Sequence, residues 1–292
     1  MTHPPLAREV FGRRFRNPVL LAAGTAGFGR ELVGIIDLAR IGGLITKAVS
    51  PLPRAGNASP RVAEFAGGML NSIGLANPGL EAVGAESLPW LAREWSDLPV
   101  LVNVVGDSAD DYAAVVAGLT ASPAVAAFEL NLSCPNGHAG GLEFGADPNS
   151  VAEVVSACLA RTSKPLVAKL SPALPDIAGM AAVAVAAGAA GVSVVNTLPG
   201  YLYAGATAVP RVGQGNGGVS GPALLPIGVL ATRKVRARLP SIVIIGVGGV
   251  CSASDVSQYL QAGADLVAIG TAALADPRLP ERIVRQLESA GG

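Results

Sequence analysis

The chain is poor in aromatic and charged residues. Of its 292 residues only 4% are Phe, Trp or Tyr and 14% are charged, and it has three cysteines and two histidines. Lys plus Arg number 21, as do Asp plus Glu, so the formal net charge is zero. A chain of zero formal net charge gives no sign of a nucleic-acid or polyanion partner. Small-molecule chemistry is therefore expected, with no nucleic acid among the partners. Cys134, Cys158 and Cys251 are far apart, with no CxxC and no histidine at metal-ligand spacing. They read as reduced thiols of a cytoplasmic protein, with no metal site and no four-cysteine iron–sulfur cluster.

Small and apolar residues are abundant instead. Half the chain is hydrophobic, with 37 Gly and 22 Pro, and the mean hydropathy is +0.48. Residues 177–210 carry no charge, a run longer than the ~20 residues that span a bilayer. Ala and Gly dominate that run, and Asn196, Pro199 and Gly200 interrupt it. It parses as a helix over 177–189, a strand over 191–196 and a loop, so no membrane association is expected. Arg8, Arg13, Arg14 and Arg16 are not followed by an apolar signal core, and secretion is not expected either.

Short apolar runs bounded by Gly, Pro and Asn recur at 18–24, 43–49, 100–106, 128–133, 165–170, 192–196, 242–246 and 266–270. Helical patterns lie between them at 29–40, 107–119, 147–160, 221–239, 252–264 and 276–288, several opening on an Asp or Ser cap. Apolar strands alternating with helices predict a parallel sheet covered on both faces, and a count of eight predicts a closed (β/α)8 TIM barrel in one domain over 1–292. A doubly wound sheet is the alternative. The opening "REVFGRRFRNP" turns at Gly12 and reads as a hairpin closing one end of the barrel. Two long loop insertions, 50–97 and 198–220, follow strands and so belong at the C-terminal face, where barrels keep their sites.

Polar residues punctuate the strand ends. Lys47, Asn103, Asn131, Lys169, Asn196, Gly248 with Gly249, and Gly270 with Thr271 fall at the C-terminal ends of strands two to eight. Two lysines and three asparagines without a carboxylate cluster suit a planar, anionic ligand with hydrogen-bonding edges. A lysine inside an apolar strand either reaches solvent or meets an anion, because a buried amine needs a partner. The glycines after strands seven and eight let backbone N–H groups approach a phosphate. "GVGGVCS" lacks the third glycine of a dinucleotide fingerprint, which argues against direct NAD binding. Phosphate joined to a planar ring suggests flavin mononucleotide (FMN).

Cys134 stands apart from the other thiols. Cys158 reads as buried and inert on its helix, Cys251 as structural, His138 as a loop residue and His3 as terminal. Cys134 follows strand four, and Pro135, Asn136 and Gly137 put it in an exposed turn above the rim. Its motif holds no His or Asp, so proton transfer suits it better than nucleophilic attack.

Taken in order, "NPVLLAAGTAGFG", "TKAVS", "GNASPRVAEFAGGMLNSIGLANPG", "ELNLSCPN", "VAKLSP", "VVNT", "GGVSGPA", "GVGGV" and "AIGTA" cover nearly the whole chain. With these motifs the sequence resembles the class 1 dihydroorotate dehydrogenases, flavin enzymes of pyrimidine synthesis. The resemblance implies that Cys134 is the general base at C5 of dihydroorotate, while the flavin takes hydride from C6. A serine fills this position in the related class 2 enzymes. It implies a substrate site of Lys47, Asn71, Ser72, Ile73, Gly74, Leu75, Asn131, Asn196 and Thr197. It implies a flavin site of Ala23, Lys47, Asn103, Asn131, Lys169, Val195, Gly221, Gly248, Gly249, Gly270 and Thr271, with Lys169 stabilising negative charge on the reduced ring. Ala23 is a departure, since relatives often carry serine there, and only a backbone contact is expected from it.

Within class 1 the loop "CPNGHAGGLEFGADP" is most similar to the NAD-linked, two-subunit class 1B form. That implies a partner subunit carrying FAD and an iron–sulfur cluster, with this chain as a homodimer or heterotetramer core. The fumarate-linked class 1A form is the nearest alternative. Dihydropyrimidine dehydrogenases have a similar barrel and cysteine but typically histidine after "SCP", where this chain has Asn136. A non-catalytic flavin barrel would have no use for Cys134 and the asparagines.

Overall fold

Eight short strands pair in parallel and close on themselves: Val19–Leu21 (β1), Gly43–Ile45 (β2), Val100–Val104 (β3), Val125–Asn131 (β4), Leu166–Leu170 (β5), Gly191–Val194 (β6), Val243–Val247 (β7) and Leu266–Ile269 (β8). β8 pairs with β1 through Val267 opposite Val19, which seals the ring. This is the expected (β/α)8 barrel, and all eight apolar runs became its strands. The computed structural model describes residues 6–133, 135–136 and 142–291.

Side chains alternate between the two faces of each strand. One set, including Val19, Leu21, Leu44, Val102, Phe128, Leu130, Ala168 and Val192, points outward and packs under the helices. The other set, Leu20, Ile45, Leu101, Ala127, Val167, Ile245 and Leu266, fills the barrel interior. The hairpin of Arg8–Val10 and Arg13–Phe15 turns through Phe11 and Gly12, both at positive φ. It inserts Val10 and the fully buried Phe15 into that interior cluster. Phe15 abuts Gly43 and Phe11 abuts Gly191, the first residues of β2 and β6, so the hairpin plugs the N-terminal end as expected.

The covering helices begin on side-chain caps. Ser108, Asp147, Asp176 and Ser252 each accept from a backbone N–H in the first turn of Ala109–Leu119, Pro148–Leu159, Ile177–Ala186 and Ala253–Gln261. Leu225–Arg238 and Leu279–Gly291 complete the main set. The uncharged run splits between Ile177–Ala186, β6 and a strand, Leu198–Tyr201. Among the described residues no helix is long and apolar enough to cross a membrane.

Two expectations need correction. Residues 29–40 do not form one helix but two 3-10 turns, Arg30–Leu32 and Leu38–Arg40. Val33 is extended and Gly34 takes a left-handed φ of 79° between them, and the β-branched Val33, Ile35 and Ile36 add little helix propensity. The two insertions are also more than loops. They meet in a four-stranded antiparallel sheet ordered Leu198–Tyr201, Asn216–Ser220, Gly68–Asn71, Val62–Phe65. Thr271 at the end of β8 ties this sheet to the barrel, its hydroxyl 2.7 Å from that of Ser220.

Candidate active site

The interior changes character toward the C-terminal ends of the strands. Above the apolar layer the inward positions are Asn103 on β3, Glu129 on β4, Lys169 on β5 and Ser193 on β6. Asn103 lies in register with Glu129, and Lys169 with Ser193. Asn103, Glu129 and Ser193 have no exposed surface and Lys169 has 6%. Asn103 Nδ2 donates to Glu129 Oε1 at 2.6 Å, and Lys169 Nζ reaches the same oxygen at 3.4 Å. Glu129 therefore supplies the anion that a buried Lys169 requires. One carboxylate thus joins the expected lysines and asparagines, a single group rather than a cluster.

That layer is incompletely satisfied. Asn103 Oδ1, Glu129 Oε2 and Ser193 Oγ are buried without a hydrogen-bond partner. Folded proteins leave few such atoms, and three side by side facing one barrel mouth point to a polar ligand. Lys169 likewise spends one of its three N–H donors on Glu129.

A second tier sits at the rim. Asn196 Nδ2 donates to Asn131 Oδ1 at 3.0 Å, while Asn196 Oδ1 accepts from Thr197 N at 2.9 Å. The buried Tyr112 donates its hydroxyl to Asn131 O at 2.7 Å. Thr197 packs so closely on Gly218 that a Cβ there would strike its hydroxyl, and Gly218 O accepts from Asn71 Nδ2 at 3.0 Å. The insertion sheet thus links Asn71 to Asn131 through Gly218, Thr197 and Asn196.

The stretch from Asn71 to Leu75 is held in shape by its neighbours. Ser72 donates its N–H to Arg61 O and its hydroxyl lies 3.0 Å from Asn57 Nδ2. Ile73 O accepts from Asn57 N. Gly74 (φ 71°) lies against Asn57 with no room for a Cβ, and Leu75 is held at a positive φ of 55°. Leu75 O accepts from Asn77 Nδ2, which also bonds Ser50 Oγ, three residues beyond Lys47. Lys47 itself stands two residues past β2, half-buried, with no charged partner among the described residues.

The opposite side of the mouth is built of glycine. Gly248 (φ 119°) and Gly249 (φ 76°) follow β7, and a Cβ at Gly249 would collide with the backbone of Leu225, the first residue of helix Leu225–Arg238. Gly221 (φ 111°) precedes that helix, and a Cβ on it would lie 2.6 Å from Gly68 Cα. Val195 flanks Gly248, and Gly270 caps the short helix Thr271–Ala275 after β8. Tyr259 donates its hydroxyl to Gly248 O at 2.7 Å. Burial, then the charge of Asp255, pushes its phenol pKa up, so it stays a protonated donor. Bare N–H groups beside the start of a fourteen-residue helix make a fitting place for a phosphate. Ala23, half-buried just past β1, completes the ring of expected positions.

The expected binding residues therefore stand at or just past the C-terminal ends of the barrel strands or on the insertion segments, and hydrogen bonds and packing link Asn71, Asn131, Asn196 and Thr197. Glu129 was not singled out, although the alternation of Glu129, Asn131 and Ser133 at the end of β4 was the signal that could have found it. Cys134, His138 and His3 lie outside the described residues. Cys158 is fully buried and its thiol is pushed up to about 12 by burial. Cys251, half-buried, is raised by burial and then by Asp255, whose carboxylate accepts from its N–H. Neither thiol is poised for chemistry.

A family profile described as "Dihydroorotate dehydrogenase" matches residues 5–290. Similar proteins bear the name "Dihydroorotate dehydrogenase B (NAD(+)), catalytic subunit". The one from Latilactobacillus sakei is 44% identical over 276 residues, 94% of this chain and 90% of that protein. That from Geotalea daltonii is 42% identical over 288 residues, 99% and 93% of the two chains. That from Listeria monocytogenes is 45% identical over 282 residues, 97% and 92%. Likeness at this level along nearly the full length, on a closed barrel of eight parallel strands, means that the chain belongs to the dihydroorotate dehydrogenase family.

Proposed function

We propose that this chain is the FMN-bearing catalytic subunit of an NAD-linked dihydroorotate dehydrogenase, oxidising dihydroorotate to orotate in pyrimidine biosynthesis. The observation that carries the reading is the two-tier mouth. A floor of unsatisfied buried polar atoms lies beneath an asparagine rim, with a glycine cradle at one side. FMN fits that set: Asn103, Lys169 and the Asn131 amide suit a flavin ring edge, and Gly221, Gly248, Gly249, Gly270 and Thr271 suit its phosphate. When bound, FMN supplies the acceptor for the C6 hydride.

The chain's own residues do the rest. Asn71, Asn131, Asn196 and Thr197 offer amide and hydroxyl groups to a pyrimidine ring, and their mutual hydrogen bonds hold them in place before substrate arrives. Lys47, lacking a charged partner among the described residues, is free to balance the substrate carboxylate. Lys169 holds positive charge where negative charge develops. Cys134, two residues after the buried Leu132, takes the C5 proton as a thiolate. Proton and hydride leave from adjacent carbons, so the substrate loses two electrons and gains a double bond. The relatives' names as catalytic subunits support a second chain, which in this reading carries FAD and an iron–sulfur cluster on to NAD.

Denaturing the purified protein should release FMN, and anaerobic dihydroorotate should bleach that flavin in the folded protein. Release of FAD, or absence of any flavin after reconstitution, removes the assignment. Cys134→Ala should still bind FMN and orotate but bleach ~10² to 10⁴ more slowly, the usual weight of general acid–base catalysis. A parent-like stopped-flow rate in that variant would take Cys134 out of the mechanism.

A further inference from the structure

Glu129 and Lys169 are the only buried Asp, Glu, Lys or Arg side chains among the described residues. Lys169 has an evident use at a flavin, whereas Glu129 has none assigned. A carboxylate with no exposed surface is expensive to keep unless it is fully paired. This one is half-paired. Oε1 is shared between Asn103 and Lys169, and Oε2 has no partner. The Lys169 contact of 3.4 Å is longer than the ~2.7–2.9 Å of a tight charge-assisted hydrogen bond. If Glu129 served only to anchor Lys169, a closer, two-oxygen pair would do so better.

We infer that Glu129 is a positioning residue for Lys169 whose negative charge offsets the ammonium at the flavin and so holds the reduction potential of bound FMN low. This rests on the FMN reading above. Reduction adds negative charge to the ring, and an unopposed buried ammonium beside it would stabilise that charge strongly in a dry interior. With Glu129 in place the pair is neutral, and the stabilisation is reduced. Asn103 fixes the carboxylate by its 2.6 Å bond, which keeps the counter-charge on the side of Lys169. A low potential suits a chain whose electrons must travel on to a nicotinamide through another subunit, and Glu129 supplies it without touching substrate.

The test is the midpoint potential of the FMN-loaded protein, read against a reference dye. Glu129→Gln keeps the shape and the Asn103 contact but removes the charge. At a fixed solution potential it should raise the ratio of reduced to oxidised flavin at least tenfold, a positive shift of ~30 mV for a two-electron couple. Glu129→Asp keeps the charge and should stay within threefold of the parent ratio. An FMN-loaded Glu129→Gln protein within threefold of the parent overturns the inference. So does a Glu129→Asp protein that moves as far as Glu129→Gln, because geometry rather than charge would then be responsible.

Should Glu129→Gln fail to retain FMN, each single variant, Glu129→Gln or Lys169→Gln, leaves one buried charge alone, and the double variant, which leaves neither, gives the comparison. The counter-charge role predicts a double variant that melts above both single variants, and a double no more stable than the weaker single overturns it. A parent protein that releases no FMN defeats the functional reading instead, so the two failures are distinguishable.

Discussion

Asp147 makes two hydrogen bonds to one residue: its Oδ2 accepts from both the N–H and the hydroxyl of Ser150 at 2.8 Å. These bonds, first the backbone one, hold its carboxyl pKa below the usual 3.8. A folded-state pKa below the unfolded one means stability that is present above the unfolded value and lost as pH falls through the folded one. Asp147→Ala should therefore lower stability at neutral pH by about 1 kcal/mol, the ordinary weight of an N-cap. The gap between variant and parent should close in acid below the usual carboxylate range. Chemical denaturation of both proteins across pH 2–7 checks this, and a gap that persists at the acid end would mean the charge plays no part. Residues of this kind were legible from the sequence, since a cap precedes a helical pattern wherever it occurs. The rim lysines and asparagines were legible for a similar reason, standing where apolar strands stop. The position of Glu129 was legible in the alternation at the end of β4, but its pairing was not, because that comes from Asn103 and Lys169 on the neighbouring strands, and strand pairing is not written in local sequence.

Among the elements, β7 and the loop after it depend on one aromatic side chain. Tyr259 is fully buried, fills space that a Cβ at Gly228 or Gly246 would claim, and bonds the carbonyl of Gly248. It thereby sets the backbone of the glycine pair from behind. Tyr259→Phe should keep the packing but lose that hydrogen bond, destabilising the protein by about 1 kcal/mol and leaving a buried carbonyl short of a donor. FMN affinity should fall with it, and fluorescence titration of the apoprotein measures the change; an unaltered affinity would separate Tyr259 from the phosphate loop. The eight strands themselves were readable as apolar runs, with their ends shifted by a few residues. The insertion sheet was not. Its strand Asn216–Ser220 contains "GG", which locally reads as a turn, yet those glycines let it pass close to Asn71 and Thr197. Its partner, Gly68–Asn71, is far away in the chain. The expected helix at 29–40 failed in the opposite way, because apolar spacing suggested a helix and Gly34 broke it.

At the scale of the whole molecule, the proposed reading gives this chain FMN as its acceptor, and the sequence has no Gly-x-Gly-x-x-Gly turn after an early strand. The protein alone should reduce NAD poorly with dihydroorotate, and a flavin and iron–sulfur partner should restore the activity. Steady-state NADH formation with and without that partner decides the matter. Rapid reduction by the lone chain would refute the division of labour, and strong activity with fumarate would move the protein to the other subclass.

The hairpin plug has a consequence for traffic. With Phe15 and Val10 buried against the interior cluster, the N-terminal end of the barrel is filled among the described residues, and the candidate site lies at the C-terminal ends of the strands. In the proposed reading dihydroorotate and orotate would share one binding place at that face, so one could not bind while the other lingered. Orotate should accordingly raise the apparent KM for dihydroorotate without lowering the maximal rate, and initial rates at several orotate concentrations would show separate binding places if the maximal rate fell instead.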